Sequence, residues 1–128
     1  MEHSPQKILS GKSVLIIEDE PLIALGVHAA LKSAGASVVS ASSVREATRL
    51  IGYAEISAAV VDVQLGSEDA SAVCHLLARR NIPFVFYTGQ PKSSPIFGQW
   101  PHVHVFKKPA LFDEVVLALA RLLSAGVA

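Results

Sequence analysis

The stretch ISAAVVDVQLG, residues 56–66, decides the fold. Four consecutive apolar residues, Ala58 to Val61, precede its one charged residue, Asp62. A short continuous apolar run predicts a strand that is buried on both faces, as in a parallel sheet. A buried carboxylate costs several kcal/mol unless it is paired or ligated. We therefore expect Asp62 to lie at a strand end, beside cationic partners.

Outward from this stretch, predicted strands and helices alternate along the chain. Apolar runs predict strands over 14–17, 37–41, 58–61, 84–87 and 103–106, and amphipathic stretches predict helices over 22–33, 43–51, 69–80 and 111–123. The segment TGQPKSSPIFGQWPH, residues 88–102, carries three prolines and predicts a long loop with an eroded fourth helix. Strict alternation predicts an α/β fold, a doubly wound five-stranded parallel sheet of flavodoxin-like order 2-1-3-4-5.

Length and composition limit the classes of protein. The chain has 128 residues, which suits one domain, and a 51% hydrophobic and 17% charged composition indicates a globular protein. Zero formal net charge without a Lys/Arg cluster argues against nucleic-acid binding. The single cysteine, Cys74, excludes an internal disulfide and favours a cytoplasmic location, and no apolar run is long enough for a membrane span. We expect a flexible leader over 1–12 and the domain over 13–126.

The carboxyl ends of the predicted strands carry a definite set of polar residues. Glu18 and Asp19 follow the first strand, Asp62 the third and Thr88 the fourth, and the pair Lys107-Lys108 follows the fifth. In a doubly wound sheet these ends form the functional crevice. Three crowded carboxylates repel one another, and Mg²⁺ would relieve that repulsion with the oxygen ligands it prefers. The set predicts phosphoryl transfer to an aspartate.

These residues stand in four motifs: IIEDEP, VVDVQLG, YTG and FKKPA. Together, and in this order, they resemble the receiver domains of two-component response regulators over residues 12–124. The resemblance implies that Asp62 is the phosphoacceptor. It also implies that Thr88 hydrogen-bonds the phosphoryl group beside Gly89, and that Lys108, which directly precedes a proline, makes the charge contact. Lys107 is expected to point away by strand alternation.

The resemblance also implies a magnesium site. Asp19 and Asp62 would bind the Mg²⁺ cofactor directly, and Glu18 would hold it through water. The backbone carbonyl of Gln64 would be a further ligand. No other cofactor is implied.

The function implied by the resemblance is that of a stand-alone response regulator in a phosphorelay. It would take a phosphoryl group from a sensor histidine kinase, catalyse only its own phosphorylation and dephosphorylation, and signal to an unknown downstream protein, with a homodimer possible. Residues 86–90, Phe-Tyr-Thr-Gly-Gln, partly match the FATGUY-type receivers of alphaproteobacteria, which work with kinases of the HWE/HisKA2 type. The aromatic switch of most receivers is absent, because Val105 stands in its place.

Other functions remain as alternatives. A phosphate sink and a pseudo-receiver that only binds share the fold, although the intact acids, threonine and lysine argue against the second. A small Mg²⁺-dependent phosphohydrolase would need an acid two residues after Asp62, where Gln64 stands. His102 and His104 alternate on one strand face but lack a third zinc ligand. SGKS, residues 10–13, precedes a strand and lacks the earlier glycine of a phosphate loop.

The last helix carries a prediction about surfaces. A helical wheel places a core-facing stripe at four positions, with Asp113, Glu114 and Arg121 on the solvent side. The stripe consists of Leu111, Val115, Ala118 and Leu122, widened by Phe112, Val116, Leu119 and Leu123. Leu117 falls among the charges. It is either a scattered surface leucine or, with Ala120, an apolar patch for a partner or a second copy.

Overall fold

The computed structural model describes residues 7–125, without the side chain of residue 125. A five-stranded, all-parallel sheet forms its centre, in the order β2-β1-β3-β6-β7. The strands are β1 (Ser13–Ile17), β2 (Ser37–Ala41), β3 (Ala58–Val61), β6 (Phe84–Thr88) and β7 (Val105–Lys107). Counting these five alone, the order is 2-1-3-4-5, so the predicted topology is confirmed.

The two remaining strands form a small hairpin that the sequence did not predict. β4 (Gln64–Leu65) and β5 (Glu68–Asp69) pair antiparallel directly after β3. Gly66 lies in the turn between them at φ 63°, a left-handed conformation that glycine adopts without steric cost. The hairpin displaces the start of the third helix from the predicted position 69 to Ser71.

Five helices cover the two faces of the sheet. They are α1 (Pro21–Ser33), α2 (Val44–Tyr53), α3 (Ser71–Arg79), α4 (Pro95–Gln99) and α5 (Phe112–Ala125). The start of α2 resembles a capping box: the Ser43 hydroxyl accepts from the Glu46 amide, and the Glu46 carboxylate accepts from the amide of Ser42, one residue before the cap. The predicted erosion of the fourth helix is confirmed, since α4 has five residues.

Alternate residues of the buried strands supply two separate core layers. Leu15 and Ile17 of β1 face the layer under α2, α3 and α4, whereas Val14 and Ile16 face the layer under α1 and α5. On the second face the helices α1 and α5 pack closely. A Cβ on Gly26 would come within 2.3 Å of the Phe112 ring, so only glycine leaves room for that ring.

The predicted leader is partly packed on the domain. Its first six residues and residue 126 of the predicted domain lie outside the described part of the chain. Within residues 7–12, Leu9 is fully buried in the layer under α1 and α5, and its amide donates to the Ala34 carbonyl at 2.8 Å. The leader is therefore packed on the domain at Leu9, and its flexibility stays a prediction.

The predicted core stripe of the last helix is wrong at both of its ends. Leu111 precedes the first residue of α5 and is 70% exposed, and Leu122 is 38% exposed. In α5, Val115 and Leu119 are fully buried, and Val116 is 6% exposed. Leu117 is exposed, as the wheel predicted.

An aromatic chain ties α4 and the following loop to the sheet. Phe97 packs edge-to-face on Phe86, Phe86 on Phe84, and Phe84 on Trp100, with ring centroids 5.5–5.6 Å apart. Trp100 in turn lies 5.0 Å from His75 of α3. Offset and edge-to-face aromatic pairs contribute about 0.5–1.5 kcal/mol each beyond their buried area. These contacts hold in place a segment that has little regular structure of its own.

Candidate functional site

The ends of β1, β3 and β6 bring the predicted polar residues to one edge of the sheet. The Asp62 amide donates to the Ile17 carbonyl at 2.9 Å, and the Glu18 amide donates to the Ala41 carbonyl at 3.0 Å, so the parallel pairing extends to both acids. Thr88 is the last residue of β6. Glu18, Asp62 and Thr88 are the three buried polar or charged side chains of the described residues.

Lys108 is the cation of the site. Its amide donates to the Thr88 carbonyl at 2.8 Å, which fixes the lysine beside the end of β6. Its ammonium group lies 3.0 Å from Asp62 Oδ2 and 2.9 Å from Glu18 Oε1, and it also contacts the Glu20 carboxylate. Lys107 is exposed, in agreement with the predicted alternation. The expected pairing of Lys108 with Asp62 is therefore present.

Four carboxylates meet beside this lysine. One oxygen from each lies within 4.8 Å of all the others, a spacing that a single cation can bridge; the four are Glu18, Asp19, Glu20 and Asp62. The turn of the β4–β5 hairpin holds Asp19, since Asp19 Oδ2 accepts a hydrogen bond from the Gly66 amide at 2.8 Å. Within residues 7–125, this is the one group of three or more carboxylate, imidazole or thiolate ligands close enough for a metal ion. His102 and His104 do not join such a group.

Burial and charge perturb the protonation of two of these groups. Burial raises the pKa of Glu18 to about 7; the negative charge of Asp62 adds to the rise, and the hydrogen bond from Lys108 opposes it. Burial alone would lower the pKa of Lys108, but its hydrogen bonds to Glu20, Glu18 and Asp62 outweigh burial and raise it. The lysine therefore stays charged, and Glu18 holds a proton more readily than an ordinary glutamate.

Thr88 and Gln64 flank Asp62. The Thr88 hydroxyl accepts from the Gln90 amide at 3.2 Å, which links the hydroxyl to the loop that follows β6. The Gln64 amide donates to Asp62 Oδ1 at 3.3 Å, and the Gln64 side chain turns away to donate to the Gly66 carbonyl at 2.7 Å. Both residues follow Asp62 in the chain: Gln64 lies two residues after it, and Thr88 ends β6, the strand that pairs with β3.

Two features of the site were missed in the sequence. Glu20 was not predicted to join the site, and an acid just before a helix is common. Tyr87 is the aromatic residue near the lysine: its ring lies 5.8 Å from Lys108 Nζ, and its hydroxyl lies 3.3 Å from the Ala110 carbonyl. The sequence could have indicated that Tyr87 lies on the opposite face of β6 from Thr88, because neighbouring side chains of a strand alternate. Val105, at the position of the usual switch, is 37% exposed.

Two other candidates do not join the site. His104 stacks on Phe106 with ring centroids 4.2 Å apart. Cys74 is fully buried in α3, and its burial raises the pKa of the thiol to about 12, so the group is an unreactive core residue.

No helix of the described chain combines the length and apolar character needed to cross a bilayer.

The sequence matches that of a known protein family. The model of the response regulator receiver domain matches residues 14–98. One curated relative is the phyllosphere-induced regulator PhyR of Methylorubrum extorquens, 35% identical over 83 residues, which are 62% of this chain and 31% of that protein. This chain thus spans about a third of the length of that relative.

Solved structures share the fold at low sequence identity. A response regulator receiver protein from Sinorhizobium medicae superposes with a TM-score of 0.80 at 23% identity, over 89% of this chain and 95% of that one. The receiver domain of the sensor histidine kinase PA1611 from Pseudomonas aeruginosa has a TM-score of 0.78 at 20% identity, over 90% and 99%. In that second structure a magnesium ion is coordinated in the active-site cleft.

Proposed function

This chain belongs to the response regulator receiver domain family, and on that premise we propose that Asp62 accepts a phosphoryl group and that the modified domain signals by binding another protein. The observation that carries the proposal is the contact of Lys108 Nζ with Asp62 Oδ2 at 3.0 Å in a buried acidic crevice. A lysine in that position lowers the charge barrier to a negatively charged donor and remains close to the phosphoryl group after transfer.

The transfer is a substitution at phosphorus. An Asp62 carboxylate oxygen forms a bond to phosphorus while the bond from phosphorus to the donor breaks, and the leaving group keeps that electron pair. With phosphohistidine the leaving group is an imidazole nitrogen, and with acetyl phosphate it is the acetate oxygen. Positioning and charge stabilisation carry such a step, because little covalent chemistry remains for the protein. Lys108 and the Thr88 hydroxyl are the groups we assign to that task.

We assign magnesium to the acidic crevice. The donor set suits this ion, because all four candidate ligands are hard carboxylate oxygens that converge within 4.8 Å. Asp19 and Asp62 are the proposed direct ligands, with the Gln64 carbonyl, and Glu18 would act through water. When bound, the ion supplies positive charge against the transferred phosphoryl oxygens. The residues themselves orient the acceptor, and the Gly66 amide fixes Asp19 for that purpose.

The phosphoryl donor that we propose is a sensor histidine kinase, since kinases of this class phosphorylate receiver domains. The finer assignment, to FATGUY-type receivers and to kinases of the HWE/HisKA2 type, is supported by the five-residue α4 and by Phe86, Thr88 and Gly89 of the motif. Tyr87 and Gln90 depart from it. A phosphotransfer profile against purified kinases of both classes tests this assignment, and preferential transfer from another class would contradict it.

Signalling without an aromatic residue at position 105 needs another moving element, and we propose the segment 89–102. The Gln90 amide connects it to the Thr88 hydroxyl, which a phosphoryl group on Asp62 would recruit. Trp100 lies at its far end, and its buried Nε1–H has no acceptor among the described residues. An unpaired buried donor costs about 1–3 kcal/mol, which a rearranged segment could recover.

Two measurements test this route. Amide exchange over 89–102 should slow on phosphorylation if the segment becomes ordered, whereas an unchanged profile counts against the idea. Trp100 is the single tryptophan of the chain, so its fluorescence reports the same change without a label. A parallel scan of α2, at the other end of the fold, is the internal control and should show no change.

Acetyl phosphate separates the proposed function from its alternatives. A receiver becomes labelled on Asp62 in the presence of Mg²⁺ and stays unlabelled when the metal is chelated before acetyl phosphate is added. A pseudo-receiver stays unlabelled under both conditions. A phosphohydrolase releases inorganic phosphate continuously and without a lasting label. A phosphate sink is labelled like a receiver, but its segment 89–102 shows no change in exchange.

A further inference from the structure

The ammonium group of Lys108 contacts as many carboxylates as it has N–H donors. A lysine ammonium group carries three N–H donors and no acceptor. Three carboxylates contact Lys108 Nζ: Asp62 at 3.0 Å, Glu18 at 2.9 Å, and Glu20. One donor is therefore available for each carboxylate, and a new acceptor must displace one of the three.

Burial distinguishes the three partners of the lysine. The side chains of Glu18 and Asp62 are 4% and 7% exposed, whereas that of Glu20 is 58% exposed. Releasing a buried carboxylate from its cation leaves an uncompensated charge in a poorly solvated place, which is strongly unfavourable. Releasing Glu20 returns its carboxylate to water at small cost, because exposed ion pairs contribute only about 0.2–1 kcal/mol. Glu20 is thus the partner that can be exchanged.

The backbone fixes the position of Glu20 at the start of α1. Glu20 is the residue before α1, and its carboxylate makes no capping hydrogen bond to that helix. Its amide donates to Glu18 Oε2 at 3.1 Å, so the two acids are fixed relative to each other. Among residues 7–125, the one side chain that bonds to the Glu20 carboxylate is that of Lys108.

We propose that Glu20 is a positioning residue that occupies the third donor of Lys108 in the unphosphorylated domain and yields that donor to a phosphoryl oxygen. The inference rests on the proposed function, because the competing acceptor is the phosphoryl group on Asp62. In the resting state Glu20 keeps the lysine extended over the acidic crevice. After transfer, the lysine contacts the phosphoryl group, and Glu20 turns into solvent.

Competition of this kind makes Glu20 a brake on phosphorylation. Replacing Glu20 with glutamine retains the size of the side chain and removes its charge. An incoming acceptor then displaces this side chain from Lys108 more easily. We expect roughly a twofold to fivefold tighter binding of beryllofluoride, a noncovalent phosphoryl analogue, since an exposed ion pair contributes at most about that factor. The rate of labelling by acetyl phosphate should rise by a similar factor.

A second variant separates the contact from the local charge. Glu20→Asp keeps the negative charge but shortens the side chain by one methylene, so the carboxylate no longer reaches Lys108. If the contact matters, Glu20→Asp binds beryllofluoride more tightly than the parent, as Glu20→Gln does. The matched control is Glu55→Gln, which removes the charge of an exposed glutamate in the loop before β3. This loop lies at the amino end of the strand, whereas the site lies at the carboxyl ends. Glu55→Gln should leave both measurements at the parent value.

The experiment is a beryllofluoride titration of all four proteins at saturating Mg²⁺, followed by tryptophan fluorescence, with labelling rates and melting temperatures measured in parallel. Tighter binding in both Glu20 variants, without a matching change in melting temperature, supports the inference. An increase in Glu20→Gln alone overturns it in favour of simple charge repulsion, and unchanged binding in both overturns it outright. If the parent takes up neither beryllofluoride nor phosphate, the proposed function itself fails, and the inference fails with it.

Discussion

Replacing Glu18 with glutamine should remove a large part of the pH dependence of folding in the metal-free protein. Burial, helped by the charge of Asp62, raises the pKa of Glu18 from 4.5 to about 7 in the folded state. Between these two values the folded protein holds a proton that the unfolded chain has lost. The free energy of unfolding must therefore fall as the pH rises from 4.5 to 7. Glutamine resembles the protonated carboxyl, so the variant should lack this loss.

The size of the effect follows from the change in proton affinity. A tenfold change in proton affinity is worth about 1.4 kcal/mol, so Glu18 contributes at most about 3 kcal/mol to the difference between pH 4.5 and pH 8. Loss of one carboxylate contact to Lys108 shifts the stability of the variant at all these pH values. The pH-dependent part is therefore obtained from the difference between the two proteins, not from either curve alone.

The assay is urea unfolding followed by circular dichroism at pH 5, 6, 7 and 8, in the presence of a chelator. The stability of Glu18→Gln relative to the parent should rise steadily with pH, by about 2–3 kcal/mol over the series. Glu55→Gln, an exposed glutamate, is the control and should follow the parent at every pH. Parallel curves for Glu18→Gln and the parent, within about 0.5 kcal/mol, would refute the assignment of a buried, proton-holding Glu18.

The remaining predictions concern the metal, the leader and the surface of α5. Millimolar Mg²⁺ should raise the melting temperature relative to chelator, because it binds only the folded acidic crevice, and an unchanged value would mean that the four carboxylates hold no metal. Leu9→Ala should lower the free energy of unfolding by about 2–5 kcal/mol, whereas Ile8→Ala, at an exposed neighbour, should change it by less than about 0.5 kcal/mol. Leu117→Glu should weaken self-association or kinase phosphotransfer if its patch binds a partner. Sedimentation and transfer rates equal to those of the parent would mark the patch as incidental.

The sheet was predictable because each of its central strands is a continuous apolar run. Residues 58–61 and 84–88 are buried throughout, and such runs indicate strands covered on both faces. The hairpin after β3 was not predictable in the same way. Its strands have two residues each, which is too short for any periodicity to appear.

The last helix shows that its packing partner, and not the wheel alone, decides which residues of an apolar stripe are buried. The wheel was begun at Leu111, but the helix begins at Phe112, and the aromatic ring of Phe112 packs against Gly26 of α1. Val115 and Leu119 then form the buried centre, and Leu111 and Leu122 fall to its margins. Sequence alone does not contain the packing partner that decides this choice, because Gly26 lies 86 positions away from Phe112 in the chain.

The candidate site was predictable in most of its members and in the contact of Lys108 with Asp62, but not in the contact of Lys108 with Glu20. Strand ends in a doubly wound sheet must meet at one edge, so Glu18, Asp62 and Lys108 could be brought together on topology and resemblance. Their roles as metal ligand, acceptor and charge partner remain predictions. The contact of Lys108 with Glu20 depends on the path of the chain into α1, and nothing in the pattern of charges distinguishes Glu20 from an ordinary helix-start acid.

The account's central claim is that Asp62 is the phosphoacceptor, and the most direct test is the intact mass of the parent and of Asp62→Asn after incubation with acetyl phosphate and Mg²⁺. The substitution is nearly isosteric, so matching circular dichroism and melting curves would establish that the fold is retained. The account predicts one added phosphoryl group on the parent and none on the variant. Equal incorporation by a folded Asp62→Asn protein would contradict it.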